Sequence, residues 1–216
     1  MRPTITLVVL LVAWGLGGVA ASLWPVAVLP WNGGGGGAIA SRHPELIQKI
    51  RHLSTTGRVG RDYDHDIVAY NYRMTNVQAA LGVAQFERLE AFLSRKAEIH
   101  DAYTKFAEDY PFLKGFPVPD FGRSTFWFSG FYYTGDQLEL CDAFRVHMNE
   151  AGVDLRKFWK PVHLQKPYLG ALATKMPVAD ALWQRLFPLP CSTHLTGDEL
   201  TTVLNAARGF WDNVRS

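Results

Sequence analysis

Charge is missing from the first part of this 216-residue chain: no Asp, Glu, Lys or Arg lies between Arg2 and Arg42, and the first lysine is Lys49. Cysteine is scarce as well. Cys141 and Cys191 stand alone in apolar settings, without the close pairing that zinc sites and dithiol redox motifs require, and are expected to be reduced, packed thiols. No sustained basic stripe accompanies the formal net charge of +2, so a nucleic-acid partner is not expected. The motifs G-x-S-x-G, H-E-x-x-H and paired C-x-x-C are absent, which removes the hydrolase and zinc-enzyme signatures. What remains is apolar: 48% hydrophobic residues, with 13% aromatic, suffice for a packed core in one large or two small domains.

The uncharged segment TITLVVLLVAWGLGGVAASLWPVAVLPW (4–31) exceeds the roughly 20 apolar residues that cross a bilayer. It is consistent with a membrane anchor. Arg2, the apolar run and the small residues Gly18, Val19 and Ala20 also fit a secretory signal peptide. A third reading is an accidental leader, produced by a frameshift or a displaced start and joined to the body through NGGGGG (32–37).

Beyond the glycines, AIAS (38–41) suits a buried strand, and HPELIQKIRHLSTTGR (43–58) places Leu46, Ile47, Ile50 and Leu53 at helical spacing. RVGRDYDHDIVAYNYRM (58–74) has little periodicity and reads as a loop. Thr75 and Gln78 then form a capping-box pattern, the start of one long helix with Val77, Ala80, Leu81, Ala84, Leu89, Phe92, Leu93, Ala97, Ile99, Tyr103 and Phe106 as its core stripe. STFWFSGFYYTG (124–135), DQLELCDAFRVHMNEAG (136–152) and VDLRKFWKPV (153–162) read as a β-α-β unit. A short helix around ADALWQRL (179–186), an extended FPLPCS (187–192) and a final helix capped by Thr196 and Glu199 complete the chain.

Two segments offer candidate chemistry. GGGGG (33–37) lacks the Lys-Ser/Thr of a P-loop and leads into a strand, so a turn or linker is expected there. DYDHD (62–66) carries three carboxylates and His65, but no second cluster of ligands follows, and metal binding is not expected.

The stretch YNYRMTNVQAALGVAQFERLEAFLSRKAEIHDAY (70–103) resembles the DegT/DnrJ/StrS-type sugar aminotransferases, in its N-Y-R-M loop, capped helix start, Q-A-A-L-G and Q-x-x-x-L. GGGGAIAS with PELIQKIRHLSTTGR (34–58) is similar to the family's strand and helix after its cofactor lysine, and VHLQKPY (162–168) and LFPLPCSTHLTGDEL (186–200) to later segments. The resemblance covers about residues 34 to 216.

It implies an α/β chain: the C-terminal portion of a fold-type I enzyme dependent on pyridoxal 5'-phosphate. Residues 33–74 would be a remnant of the large cofactor domain with its active-site loop, and 75–216 the long helix and a small α+β domain. The implied reaction moves an amino group, usually from glutamate, onto a keto group of a nucleotide-linked sugar, in a homodimer. Asn71 matches a position that reaches the cofactor phosphate, Arg73 one that reaches substrate, and His65 and His163 fall in substrate-side segments. The alternative for Asn71 is a left-handed turn, and for Arg73 an ion pair within DYDHD. Tyr72 is expected to pack.

The positions equivalent to the family's Schiff-base lysine, around Leu29 and Pro30, hold no lysine. That break favours an accidental leader at 1–32 and no catalytic residue in this chain. The expected function is therefore that of a truncated aminotransferase. Alternatives are an inactive small domain that binds a homologous aminotransferase through residues 65–74 and the long helix, or a single-pass membrane protein. A cytoplasmic location is expected, unless residues 4–31 anchor it in a membrane.

Overall fold

A computed structural model describes residues 6–10, 26–30 and 37–215, with side chains from residue 39 onward. The chain divides into two compact units, residues 1–88 and 89–216.

In the first unit, β1 (Thr6–Leu10), β2 (Val26–Pro30) and β3 (Gly37–Ser41) form an antiparallel sheet in the order β1-β3-β2. Two five-residue pieces of the apolar segment 4–31 are therefore strands, and the rest of the expected anchor or leader lies outside the described residues. No helix among the described residues is long and apolar enough to cross a membrane. The expected strand at 38–41 is β3, and the helix after it is α1 (Pro44–Ser54). Its predicted stripe faces inward, with Ile47 buried against Ile39 and Ile50.

The continuous helix expected from Thr75 is interrupted. It is divided into α2 (Asn76–Glu87) and α3 (Leu89–Glu108) at Arg88, whose φ of −107° and ψ of 5° leave the helical region. Arg88 N–H donates to the carbonyl of Gln85 three residues back, the tightening that ends α2. No proline or glycine marks the spot, so the sequence pattern does not announce it. The capping box at Thr75 and Gln78 forms as expected. The apolar stripe is a core stripe only in part: Val77 and Leu81 are exposed in α2, whereas Ile99, Tyr103 and Phe106 of α3 are fully buried.

The second unit packs α3, α4 (Glu139–Glu150) and α6 (Gly197–Arg215) on an antiparallel sheet of β6 (Leu113–Gly115), β7 (Ser129–Tyr133) and β8 (Leu186–Leu189) in sequence order. Its core is aromatic. Phe144 of α4 meets Phe187 of β8 edge-on at 4.8 Å and Trp211 of α6 at 4.9 Å, while Trp211 stacks on Tyr133 of β7 at 5.7 Å. Such rings bury large areas and gain further from their mutual orientation. Tyr103 of α3 donates its hydroxyl to the Pro190 carbonyl at 2.6 Å and Tyr110, just past the end of α3, to Asp212 at 2.7 Å, so the polar tips of both core rings are satisfied. Burial, then the Asp212 carboxylate, pushes the Tyr110 phenol up to about 12. Both cysteines are free thiols, Cys141 buried and Cys191 half-buried.

The expected β-α-β unit does not form. Residues 124–128 are a turn, in which the Ser124 hydroxyl accepts from Phe126 N–H and Phe126 takes a φ of 50°, so β7 starts only at Ser129. After α4, Gly152 at φ 79° passes the chain out through paired bonds, Val153 N–H to Met148 O and Gly152 N–H to Asn149 O. The segment that follows then takes its partners from a side chain. Asn149 donates to the Leu155 carbonyl at 2.9 Å and accepts from Leu155 N–H at 3.3 Å, occupying the groups a neighbouring strand would have used. Beside β7, opposite β6, the pairing strand is β8, antiparallel, and the short helix lies slightly earlier than expected as α5 (Pro177–Leu182), with Pro177 in its first turn.

Candidate functional site

The loop from residue 55 to 74 is folded back on the C-terminal end of α1 by backbone bonds. Tyr70 N–H donates to Leu53 O and Tyr72 N–H to Ser54 O, each at 2.9 Å, while Thr55 and Asn71 face each other in an isolated antiparallel bridge. Thr56 and Gly57 turn the chain at φ 69° and 64°. At Gly57 a Cβ would lie 2.9 Å from Ile67 Cγ1 and from the Ile67 carbonyl oxygen, so the turn needs glycine for space as well as for φ. A short ladder, β4 (Arg58–Val59) with β5 (Asp64–His65), closes the outer part of the loop.

Within this frame His65 and His52 are fixed by different partners. His65 Nδ1 donates to the Thr56 carbonyl at 2.8 Å, which leaves Nε2 outward on an exposed residue. His52 Nε2 lies 2.6 Å from Asp66 Oδ1. Asn71 and Arg73 are both exposed, and among the described residues neither side chain has a hydrogen-bond or ion-pair partner. The non-functional alternatives for the two are not realised: Asn71 is not among the residues with positive φ, and the DYDHD carboxylate that finds a partner, Asp66, takes His52. Tyr72 stacks on Tyr70 with ring centroids 4.9 Å apart. No group of three or more His, Cys, Asp or Glu that could hold a metal ion occurs among the described residues.

His163 belongs to the second unit, in a single 3-10 turn at Val162–Leu164. Its Nε2 is 2.6 Å from Asp180 Oδ1 of α5, and its Nδ1 is buried without a partner. The ring lines a cleft of about 860 Å³ whose other walls include Phe158, Trp159, Met176, Pro177 and Leu186. Clefts of this size accommodate small ligands. Lys160 and Lys175 also line it, no carboxylate does, and neither lysine is in an ion pair among the described residues. Sequence reading named His163 but not this open cleft. The signal available to it was the run FWKPVH (158–163), where aromatic, basic and histidine side chains follow one another.

A profile of the DegT/DnrJ/EryC1/StrS aminotransferase family matches residues 21–208. The match thus includes part of the segment expected to be an unrelated leader. The chain is 30% identical over 190 residues to GDP-perosamine synthase of Vibrio cholerae, which covers 84% of this chain and 50% of that protein. It is 31% identical over 192 residues to UDP-4-amino-4,6-dideoxy-N-acetyl-beta-L-altrosamine transaminase of Campylobacter jejuni, covering 83% and 49%. In fold it is similar to the aminotransferase TlmJ of Streptoalloteichus hindustanus, with a TM-score of 0.77 at 22% identity, over 88% of this chain and 53% of that one. Helicobacter pylori PseC, an aminotransferase of pseudoaminic acid biosynthesis, gives a TM-score of 0.74 at 16% identity, covering 84% and 50%. The chain spans about half the length of the curated relatives it matches.

Proposed function

Because the chain belongs to the DegT/DnrJ/EryC1/StrS aminotransferase family, we propose that it supplies the distal half of an enzyme that transfers an amino group from glutamate to the keto group of a nucleotide-linked sugar. The family match over residues 21–208 carries this reading. The geometry adds that the loop bearing Asn71 and Arg73 is tied down by backbone bonds while both side chains are left exposed and unpartnered.

The family's cofactor is pyridoxal 5'-phosphate, which would supply the electron sink for amino transfer. The residues present do not fit a complete site for it. No lysine precedes Lys49, and the positions that resemble the lysine segment hold Leu29 and Pro30, which sit in β2 opposite Ala38 and Gly37 of β3. The described residues instead offer binding groups. Arg73 presents a planar fork of donors suited to a phosphate or carboxylate, and Asn71 an amide for a further oxygen. His65, held through Nδ1 by the Thr56 carbonyl, and His163, held by Asp180 beside its cleft, are further candidates for substrate contacts. The amino-transfer chemistry itself needs a Schiff-base lysine that the positions around Leu29 and Pro30 do not supply.

Co-expression of this chain with the lysine-bearing half of the Vibrio cholerae relative tests the proposal. Incubated with pyridoxal phosphate, glutamate and a GDP-linked keto sugar, the purified complex should form an amino sugar, and Arg73→Ala should abolish the product. A folded complex that forms none would refute it.

A second reading, an inactive domain that binds a homologous aminotransferase, is favoured by one observation. Helix α2 exposes Val77, Leu81, Val83 and Phe86 at 72%, 53%, 60% and 58%. Large apolar side chains exposed on opposite sides of one helix suit a helix buried against other polypeptide. Co-purification with a full-length homologue and no product in the assay above would select this reading over the first.

A further inference from the structure

Trp127 and Trp159 are 60% and 62% exposed in a unit whose other tryptophans are packed more deeply. Their ring centroids lie 5.8 Å apart with the planes tilted 49° to each other, so the pair forms a notch. Both are held from behind. Phe128 meets Trp127 at 4.6 Å and Trp159 edge-on at 5.2 Å, and Phe158 meets Phe128 edge-on at 5.9 Å. The backbone of Trp127 is pinned as well, since its carbonyl accepts from Lys96 Nζ at 3.1 Å and from the Cys191 thiol at 3.4 Å. These rings are thus fixed in place with wide faces in water, an arrangement that suits stacking on a flat heteroaromatic ligand.

The platform continues into charge. Trp159 is also a wall of the 860 Å³ cleft, beside Lys160, and Lys175 lies in the same cleft with no lining carboxylate. An aromatic notch beside a mainly apolar cleft that carries two lysines matches a ligand with a flat base at one end and an anionic group at the other. We infer that the notch of Trp127 and Trp159 takes the base of a nucleoside diphosphate, stacked on one ring and edged by the other, with its diphosphate held by Lys160 and Lys175. The inference rests on the aminotransferase reading for the class of ligand, a nucleotide-linked sugar. It adds which residues of this chain take the nucleotide.

Equilibrium dialysis of the full chain with GDP, UDP, dTDP and inorganic diphosphate tests it. The nucleoside diphosphates should bind more tightly than inorganic diphosphate. Trp127→Ala and Trp159→Ala should weaken the nucleoside diphosphates by about fivefold to a hundredfold, the range of one stacked base, and leave inorganic diphosphate unchanged. Lys160→Ala with Lys175→Ala should weaken both. Thermal melting of each variant checks its fold, and Trp→Phe, which keeps a smaller π face, should fall between wild type and Ala. Equal affinity for inorganic and nucleoside diphosphates, indifference to the tryptophan variants, or no binding at all would overturn the inference. The reading on which it rests fails separately. An assembled enzyme that transaminates with an unchanged KM in the tryptophan variants sinks only the stacking site, whereas tryptophan-dependent binding without transamination sinks only the enzymatic reading.

Discussion

His163 Nε2 and Asp180 Oδ1 lie 2.6 Å apart, and because a carboxylate accepts, the ring nitrogen must donate. That fixes the Nε2–H tautomer and leaves the buried, unpartnered Nδ1 as an acceptor. Nitrogen-15 NMR of the histidine side chains should show His163 in the Nε2–H form. Asp180→Ala removes the acceptor, and should let His163 populate the Nδ1–H form. An unchanged tautomer would show that Asp180 does not orient the ring.

The start of α6 gives a simpler expectation. Thr196 Oγ1 accepts from Glu199 N–H at 3.2 Å, and the Glu199 carboxylate accepts from Thr196 N–H at 2.7 Å. The backbone bond first, then the Thr196 hydroxyl, holds that carboxyl below its ordinary range. Thr196→Ala should lower stability by about 1 kcal/mol in urea unfolding, and Thr196→Asp should recover most of it.

Gly130 sits in β7 opposite Pro188 of β8. A Cβ there would collide with the Phe187 backbone carbonyl oxygen, and a backbone atom in a paired strand has no room to withdraw. Gly130→Ala should therefore cost more than the roughly 1 kcal/mol typical of an average point mutation, read from the urea midpoint. A midpoint equal to wild type would mean that β8 can shift outward freely.

His100 is 6% exposed, its ring 4.4 Å from Phe126 and its Nε2 3.5 Å from the Thr104 hydroxyl. Burial lowers its pKa below the ordinary 6.5, a shift that Asp101 partly opposes. The unfolded chain then binds a proton near 6.5 that the folded chain refuses. Stability from this group is complete above pH 6.5 and declines as pH falls from there toward the folded value. The urea midpoint should be lower at pH 5 than at pH 7.5, and His100→Leu should shrink the difference. Asp142, lowered chiefly by its hydrogen bond from Lys157, and Glu199 act in a separate window below about pH 4.5.

Features set by neighbours in sequence were legible before the structure. The capping boxes at Thr75 and Thr196 and the inward spacing of Ile99, Tyr103 and Phe106 depend on residues three and four apart, and they stand as read. Features set by distant partners were not. The segment after Gly152 has strand composition, yet Asn149 takes its backbone groups, and the second partner of β7 arrives at Leu186. The helix break at Arg88 has no sequence mark. Likewise Asp180 reaches His163, and Trp127 reaches Trp159, only through the tertiary fold, so the cleft and its notch could not be assembled from spacing. The family resemblance supplied Asn71 and Arg73. The structure contributes their exposure and the bonds that hold their loop.

The order of strands in the second unit also bears on how the chain leaves the ribosome. β6 and β7 emerge first and can pair, but β8 follows only after α4, the 3-10 turns and α5 have been made. Until then one edge of Ser129–Tyr133 is open to any passing strand. Slow synthesis between residues 134 and 186 would lengthen that interval, and a chaperone that shields β-edges during it should raise the yield of soluble chain.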